Sequence, residues 1–165
     1  MTDLEKIIAT NAEYAKSYVD TENKSPNPRK RLAIVTCMDA WIHDAAALGT
    51  NLGDAHIIRN AGGSAKEALR SLLISQHFLD TNRVMVIKHT RCGMIGPTNE
   101  GIRATVKKNT GTSADHIDFL PFDELVQAVV DDVLFLRNSG FMSKIDITGH
   151  IFVLEEGELK SVPVK

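Results

Sequence analysis

Lys88-His89-Thr90-Arg91-Cys92-Gly93-Met94 is the stretch whose reading decides this chain, together with Thr36-Cys37-Met38-Asp39 some fifty residues earlier. A β-branched run leads into each piece, residues 84–88 into the first and 32–36 into the second. Short apolar runs of this kind read as buried strands of a parallel sheet, so both pieces leave the same sheet edge. Brought together there, Cys37, His89 and Cys92 supply two thiolates and one imidazole. That donor set suits zinc, and three protein ligands leave a fourth position open for chemistry. The chain has no other cysteine; the plainer alternative is that both are small buried hydrophobes.

Outward from these pieces, the pattern alternates. Residues 4–19 place Leu4, Ile7, Ile8, Ala12, Ala15 and Tyr18 on one stripe and predict an amphipathic opening helix. A loop carrying Pro26 and Pro28 follows over 21–30. After the strand at 32–36 come a short helix at 42–48, a turn at 49–54 and a strand at 55–59. Ser64-Ala65-Lys66-Glu67 has the form of a capping box and opens a helix running to about residue 79. Beyond the strand at 84–88, residues 98–108 and 122–138 read as helices and 145–154 as a strand. Glu156-Gly157 turns that strand into a hairpin ending at Val162. Strand alternating with helix predicts one α/β domain over 1–165, with a mostly parallel sheet crossed right-handedly. Ligands of such sheets bind beyond the carboxyl ends of the strands, where Cys37, Asp39, His89 and Cys92 all fall.

Charge and composition narrow the function classes. A formal net charge of −2 leaves no basic excess for phosphates, which excludes nucleic acid as the expected partner. The opening residues lack a basic stretch followed by an apolar run, so no signal peptide is read there. No apolar run approaches the roughly 18 residues of a membrane span. Two cysteines without a secretory signal read as reduced thiols. The expectation is a soluble cytoplasmic protein with no membrane partner.

Other residues near the strand ends carry alternatives. Asp39 is close enough to Cys37 to reach a metal or its water, to occupy the fourth position and shut the site, or to cap the helix at 42–48. Gly93 permits close backbone approach after Cys92. Arg59 ends the second strand and suits either a substrate carboxylate or a surface ion pair. Gly62-Gly63 suits a phosphate cradle or, better in the absence of a full G-x-G-x-x-G, a tight turn. His43 is placed to shuttle protons. His56, His77, His116 and His150 read as helix-face or loop histidines.

Cys37-Met38-Asp39-Ala40, Gly53-Asp54-Ala55-His56-Ile57-Ile58-Arg59-Asn60-Ala61-Gly62-Gly63 and His89-Thr90-Arg91-Cys92-Gly93-Met94 together resemble the signatures of the β-class carbonic anhydrases. The likeness is to the short microbial members and covers residues 32–162. It implies one zinc per chain on Cys37, His89 and Cys92, with Asp39 as the catalytic carboxylate. It also implies four parallel strands with an antiparallel edge strand, flanked by helices. A homodimer or higher homo-oligomer follows from it too, with residues 1–30 packing on the partner subunit and the active site near the interface.

One position departs from that family. Its pattern is Cys-x-Asp-x-Arg, and Trp41 stands where the arginine pairs with the aspartate. An unpaired carboxylate beside an anionic metal centre raises the cost of deprotonating a bound water. Trp41 adds an apolar surface with one N–H donor, unless it points into the core or the subunit interface. Relatives of these enzymes include hydrolases of carbonyl sulfide and carbon disulfide. The expectation is zinc-activated water attacking a small, linear, gaseous heteroallene, with carbonyl sulfide favoured and Trp41, Arg59, Gly62, Gly63 and Gly93 around the substrate. The alternatives are a carbonic anhydrase with altered pH behaviour, a non-catalytic protein whose zinc site Asp39 closes, and a redox or nucleotide-binding module.

Overall fold

The computed structural model describes residues 1–20, 24–142 and 145–165; residues 21–23 of the expected loop lie outside them. One sheet runs in the order β2-β1-β3-β4-β5, from β1 (Leu32–Cys37), β2 (Ala55–Asn60), β3 (Arg83–His89), β4 (Asp146–Val153) and β5 (Glu158–Val162). Strands β2, β1, β3 and β4 are parallel, and β5 returns antiparallel along β4 as an edge. This is the mostly parallel α/β sheet with one antiparallel edge strand that was expected. From β1 the chain steps to β2 on one side and then back across β1 to β3. The reversal puts a crevice between the carboxyl ends of β1 and β3, which is where open parallel sheets take their ligands.

The residues of β1 after Leu32 are all buried, because both faces of the sheet are covered. On one face Ala33, Val35, Val84, Val86 and Ile147 meet Ala65, Ala68 and Leu72 of α3 (Ala65–His77) and Val129, Val133 and Leu136 of α5 (Leu125–Asn138). Each larger aliphatic side chain fully buried there contributes about 1.5–3 kcal/mol. On the other face Ile34, Ile87 and Phe152 are covered by short segments, chiefly Ile42, Met94, Ile95 and Phe122. The second face is the thinner of the two.

Local chemistry moved several boundaries. Ser64 Oγ accepts from the Glu67 N–H at 3.3 Å, but the Ser64 N–H donates to Asn60 Oδ1 at 2.6 Å. The donor that Glu67 would reach is therefore taken, and α3 has a single cap in place of the expected box. It ends at His77. Helix α5 starts at Leu125, not residue 122, because Phe122 pairs in the other direction: its N–H donates to Met94 O and its carbonyl accepts from the Gly96 N–H, both at 3.1 Å. The short helix α2 spans only Asp44–Leu48, and α4 (Asn99–Thr110) is capped by Thr98. The reciprocal box sits at α1 (Asp3–Ser17), where Thr2 and Glu5 cap each other. None of the residues of α1 is buried.

Asp54 anchors the turn before β2. It accepts from the Asn51 N–H at 3.0 Å and pairs with Arg29 at 3.2 Å and Lys30 at 3.0 Å. These partners, the Asn51 N–H first, hold its pKa at about 2. A depressed carboxylate stabilises the fold fully above its unfolded pKa of about 4 and loses that contribution as pH falls toward the folded value. Asp54→Asn should therefore lower the urea midpoint at neutral pH, with the gap to wild type closing on acidification below about pH 4. A gap independent of pH would rule out the ionised carboxylate as its source.

Candidate metal centre

Cys37 closes β1, His89 closes β3, and Cys92 follows on a tight turn. Arg91 takes a left-handed φ of 57°, and the Ile95 N–H closes the turn on Cys92 O at 3.0 Å. The three side chains converge, with the two Sγ atoms 3.9 Å apart and all three ligand atoms within 4.8 Å of one another. All three residues are buried. His89 Nδ1 lies 2.8 Å from Thr90 O, a bond that needs the proton on Nδ1. The remaining ring nitrogen, Nε2, is buried without a hydrogen-bond partner. Two thiols and an unpartnered imidazole nitrogen at this spacing fit a zinc ion.

The protonation of the cluster points the same way. The hydrogen bond from Cys92 outweighs burial and draws the Cys37 pKa down to about 4, helped by His89 and by the backbone of Asp39 and Gly62. The same bond, together with burial, pushes the Cys92 thiol up. Burial works to lower the His89 pKa, but the neighbouring Cys37 thiolate and the Thr90 carbonyl outweigh it, and the net shift is upward. The protons held here are those a cation would displace.

Asp39 is half-buried and does not cap α2, whose first turn follows His43 without a side-chain cap. Its Oδ1 accepts from the Trp41 backbone N–H at 2.9 Å. Among the described residues no cationic side chain pairs with this carboxylate. Arg59 reaches only its backbone, donating to Asp39 O at 2.6 Å, Cys37 O at 3.0 Å and Ile42 O at 3.2 Å, with an ion pair to Asp44 at 3.1 Å. Arg91 pairs instead with Glu155 at 2.5 Å. Trp41 lies outside the core, 86 % exposed.

Beside Asp39 lies a cleft of about 530 Å³, lined by Asp39, Trp41, Arg91, Phe152, Leu154 and Glu155. Thr90 Oγ1 fixes its far wall, donating to Glu155 at 2.6 Å and accepting from the Leu154 N–H at 3.0 Å. Of the residues expected around the substrate, only Trp41 lines this cleft. Arg59 is engaged beneath the Asp39 loop. Gly62 and Gly63 form a 3₁₀ turn packed on the strands, and Gly93 stands in open space. His43 is exposed. Phe152, Leu154 and Glu155 escaped the sequence reading because they come from the far end of β4, and nothing local ties them to β1.

Comparison with known proteins agrees with this geometry. The family model described as carbonic anhydrase matches residues 32–131. The chain is 31% identical to β-carbonic anhydrase 1 of Mycobacterium tuberculosis, over 98% of this chain and 99% of that protein. It is 32% identical to a carbon disulfide hydrolase of an Acidianus species, over 82% of this chain and 78% of that one. The crystal structure of carbonic anhydrase from Streptococcus mutans superposes with a TM-score of 0.92 at 38% identity, covering 99% of both chains.

Proposed function

The chain belongs to the β-carbonic anhydrase family, and from that premise we propose a zinc-dependent hydrolase of small linear heteroallenes that favours carbonyl sulfide over carbon dioxide. The observation that carries this reading is the Asp39 carboxylate, held by the Trp41 backbone N–H without a cation and set beside the exposed Trp41 ring. The carbon disulfide hydrolase among the relatives supports a sulfur substrate on this scaffold.

Cys37, His89 and Cys92 would hold the zinc, with Nε2 as the imidazole donor and Thr90 O fixing the tautomer. When bound, zinc supplies Lewis acidity and makes water a competent nucleophile at neutral pH. Asp39 accepts a hydrogen bond from the attacking O–H and so orients its lone pair toward the substrate carbon. Trp41, Phe152 and Leu154 give an apolar wall that desolvates a sulfur end readily. Hydrolysis of carbonyl sulfide yields carbon dioxide and hydrogen sulfide. A second reading, carbon dioxide hydration with altered pH behaviour, is favoured by the full-length likeness to the Streptococcus mutans enzyme.

Trp41→Arg discriminates between the two. An arginine there gives Asp39 a charged partner and removes the apolar wall. The variant should shift the kcat/KM ratio toward carbon dioxide by about ten-fold, or about 1.4 kcal/mol of differential transition-state stabilisation. Both gases are measured across pH on protein of equal zinc content. A ratio that stays fixed or moves toward carbonyl sulfide sinks the preference for sulfur.

A further inference from the structure

Lys88 is the penultimate residue of β3, next to His89, and its side chain is only 4 % exposed. The ammonium sits 2.8 Å from Asp132 Oδ2, donates to Gly62 O at 3.0 Å and Gly63 O at 3.4 Å, and lies 4.8 Å from the centre of the Phe122 ring. Asp132 Oδ2 also accepts from the Ala65 N–H at 3.1 Å, at the start of the helix that follows the glycine turn. The glycine turn and Phe122 each lead to a ligand-bearing segment. Gly63 (φ 60°) lies so close to β1 that a Cβ would come within 3.1 Å of Thr36 C and 3.2 Å of Cys37 N. Phe122 exchanges backbone hydrogen bonds with Met94 and Gly96, just beyond Cys92. The third segment is β3 itself, which ends at His89.

We propose that Lys88, held by Asp132, is a positioning residue of the metal centre: one buried ammonium clamps the Cys37, His89 and Cys92 segments at the spacing the ion needs. This rests on the reading that these three residues hold zinc. A buried ion pair is often no more stabilising than a well-packed apolar pair, so fold stability alone gives little reason for it here. Geometry gives a better one. An apolar side chain would leave the Gly62 and Gly63 carbonyls without their donor and free the turn that packs on Cys37.

The test compares zinc affinity, by competition with a chromophoric chelator, and the visible absorption of the cobalt-substituted protein, which reads ligand geometry independently of turnover. Lys88→Met strands Asp132 and should both lower the melting temperature and weaken zinc binding by about 10- to 100-fold. Lys88→Met combined with Asp132→Leu removes both charges. It should recover the melting temperature while zinc binding stays weakened and the cobalt bands stay shifted. Recovery of wild-type zinc affinity along with stability would reduce the pair to a structural role and overturn the proposal. Asp132→Asn serves if the double variant does not fold, because it keeps the side chain's shape and removes the charge that holds the ammonium. Weaker zinc binding with shifted cobalt bands is expected, and unchanged affinity overturns the clamp. Wild-type protein titrated in parallel separates the two claims: if it fails to bind zinc, the metal reading itself fails.

Discussion

Cys92→Ser protein should emerge from purification with almost no zinc, where wild type should carry about one ion per chain. Sharing the about 10–16 kcal/mol of a four-ligand zinc site among its ligands gives roughly 2.5–4 kcal/mol each, or about 10²- to 10³-fold in affinity. Serine keeps the shape and loses the thiolate. His89→Ala should have the same effect through loss of the one unpartnered ring nitrogen in the cluster. Turnover of either gas should fall to the rate in buffer, because the pKa of water returns from about 7 to its bulk value. Metal analysis of Cys37→Ser combined with Cys92→Ser is decisive. Stoichiometric zinc in that double variant would mean the ion binds elsewhere.

Removal of residues 1–20 should abolish self-association. Helix α1 has 15 residues and buries none of them. An isolated helix of that length is marginal in water even with good caps, so α1 needs cover. Leu4, Ile7 and Ile8 are 74, 65 and 70 % exposed, an apolar stripe unsuited to solvent. Covering these three on both protomers is worth upwards of about 9 kcal/mol at the usual value per aliphatic side chain. That is comparable to the about 4–15 kcal/mol cost of bringing two chains together. Light scattering on the truncated chain should show monomer or aggregate; a well-folded dimer would move the interface elsewhere.

Much of this architecture was legible because the deciding signals are local. Residues 32–36 and 84–88 are β-branched, bounded by polar turns and too short for helices, so their strands and the meeting of Cys37 with His89 and Cys92 could be read directly. Helix ends were harder. Phe122 looks like a helix start in sequence, yet it is held by Met94 and Gly96, a pairing set by tertiary structure. The capping box at Ser64 failed for a similar reason, since Asn60 already takes the donor. Two signals in the sequence mark Lys88. It is a lysine inside a buried strand, and Asp132 interrupts the apolar stripe of Val129, Val133 and Leu136 on α5. A buried cation opposite a buried anion is legible once burial is inferred for both. For Arg59, whose position at a strand end suits either a carboxylate ligand or an ion pair, the structure shows an ion pair to Asp44 and bonds to three backbone carbonyls.

The placement of the aromatic residues that absorb and emit in the near ultraviolet has a practical consequence. The chain contains one tryptophan and two tyrosines. Trp41 projects beside the cleft, and the rings of Tyr14 and Tyr18 meet at a tilt of 44° with centroids 5.6 Å apart at the end of α1. Every strong intrinsic fluorophore thus lies on a surface that ligand or partner would cover, and none reports from the packed interior. Emission from an exposed indole moves to shorter wavelength when water is withdrawn from it. A ligand seated in the cleft should therefore display itself as a spectral shift, with no dye attached. Unfolding of the core, by contrast, should be nearly silent in tryptophan fluorescence and is better followed by circular dichroism.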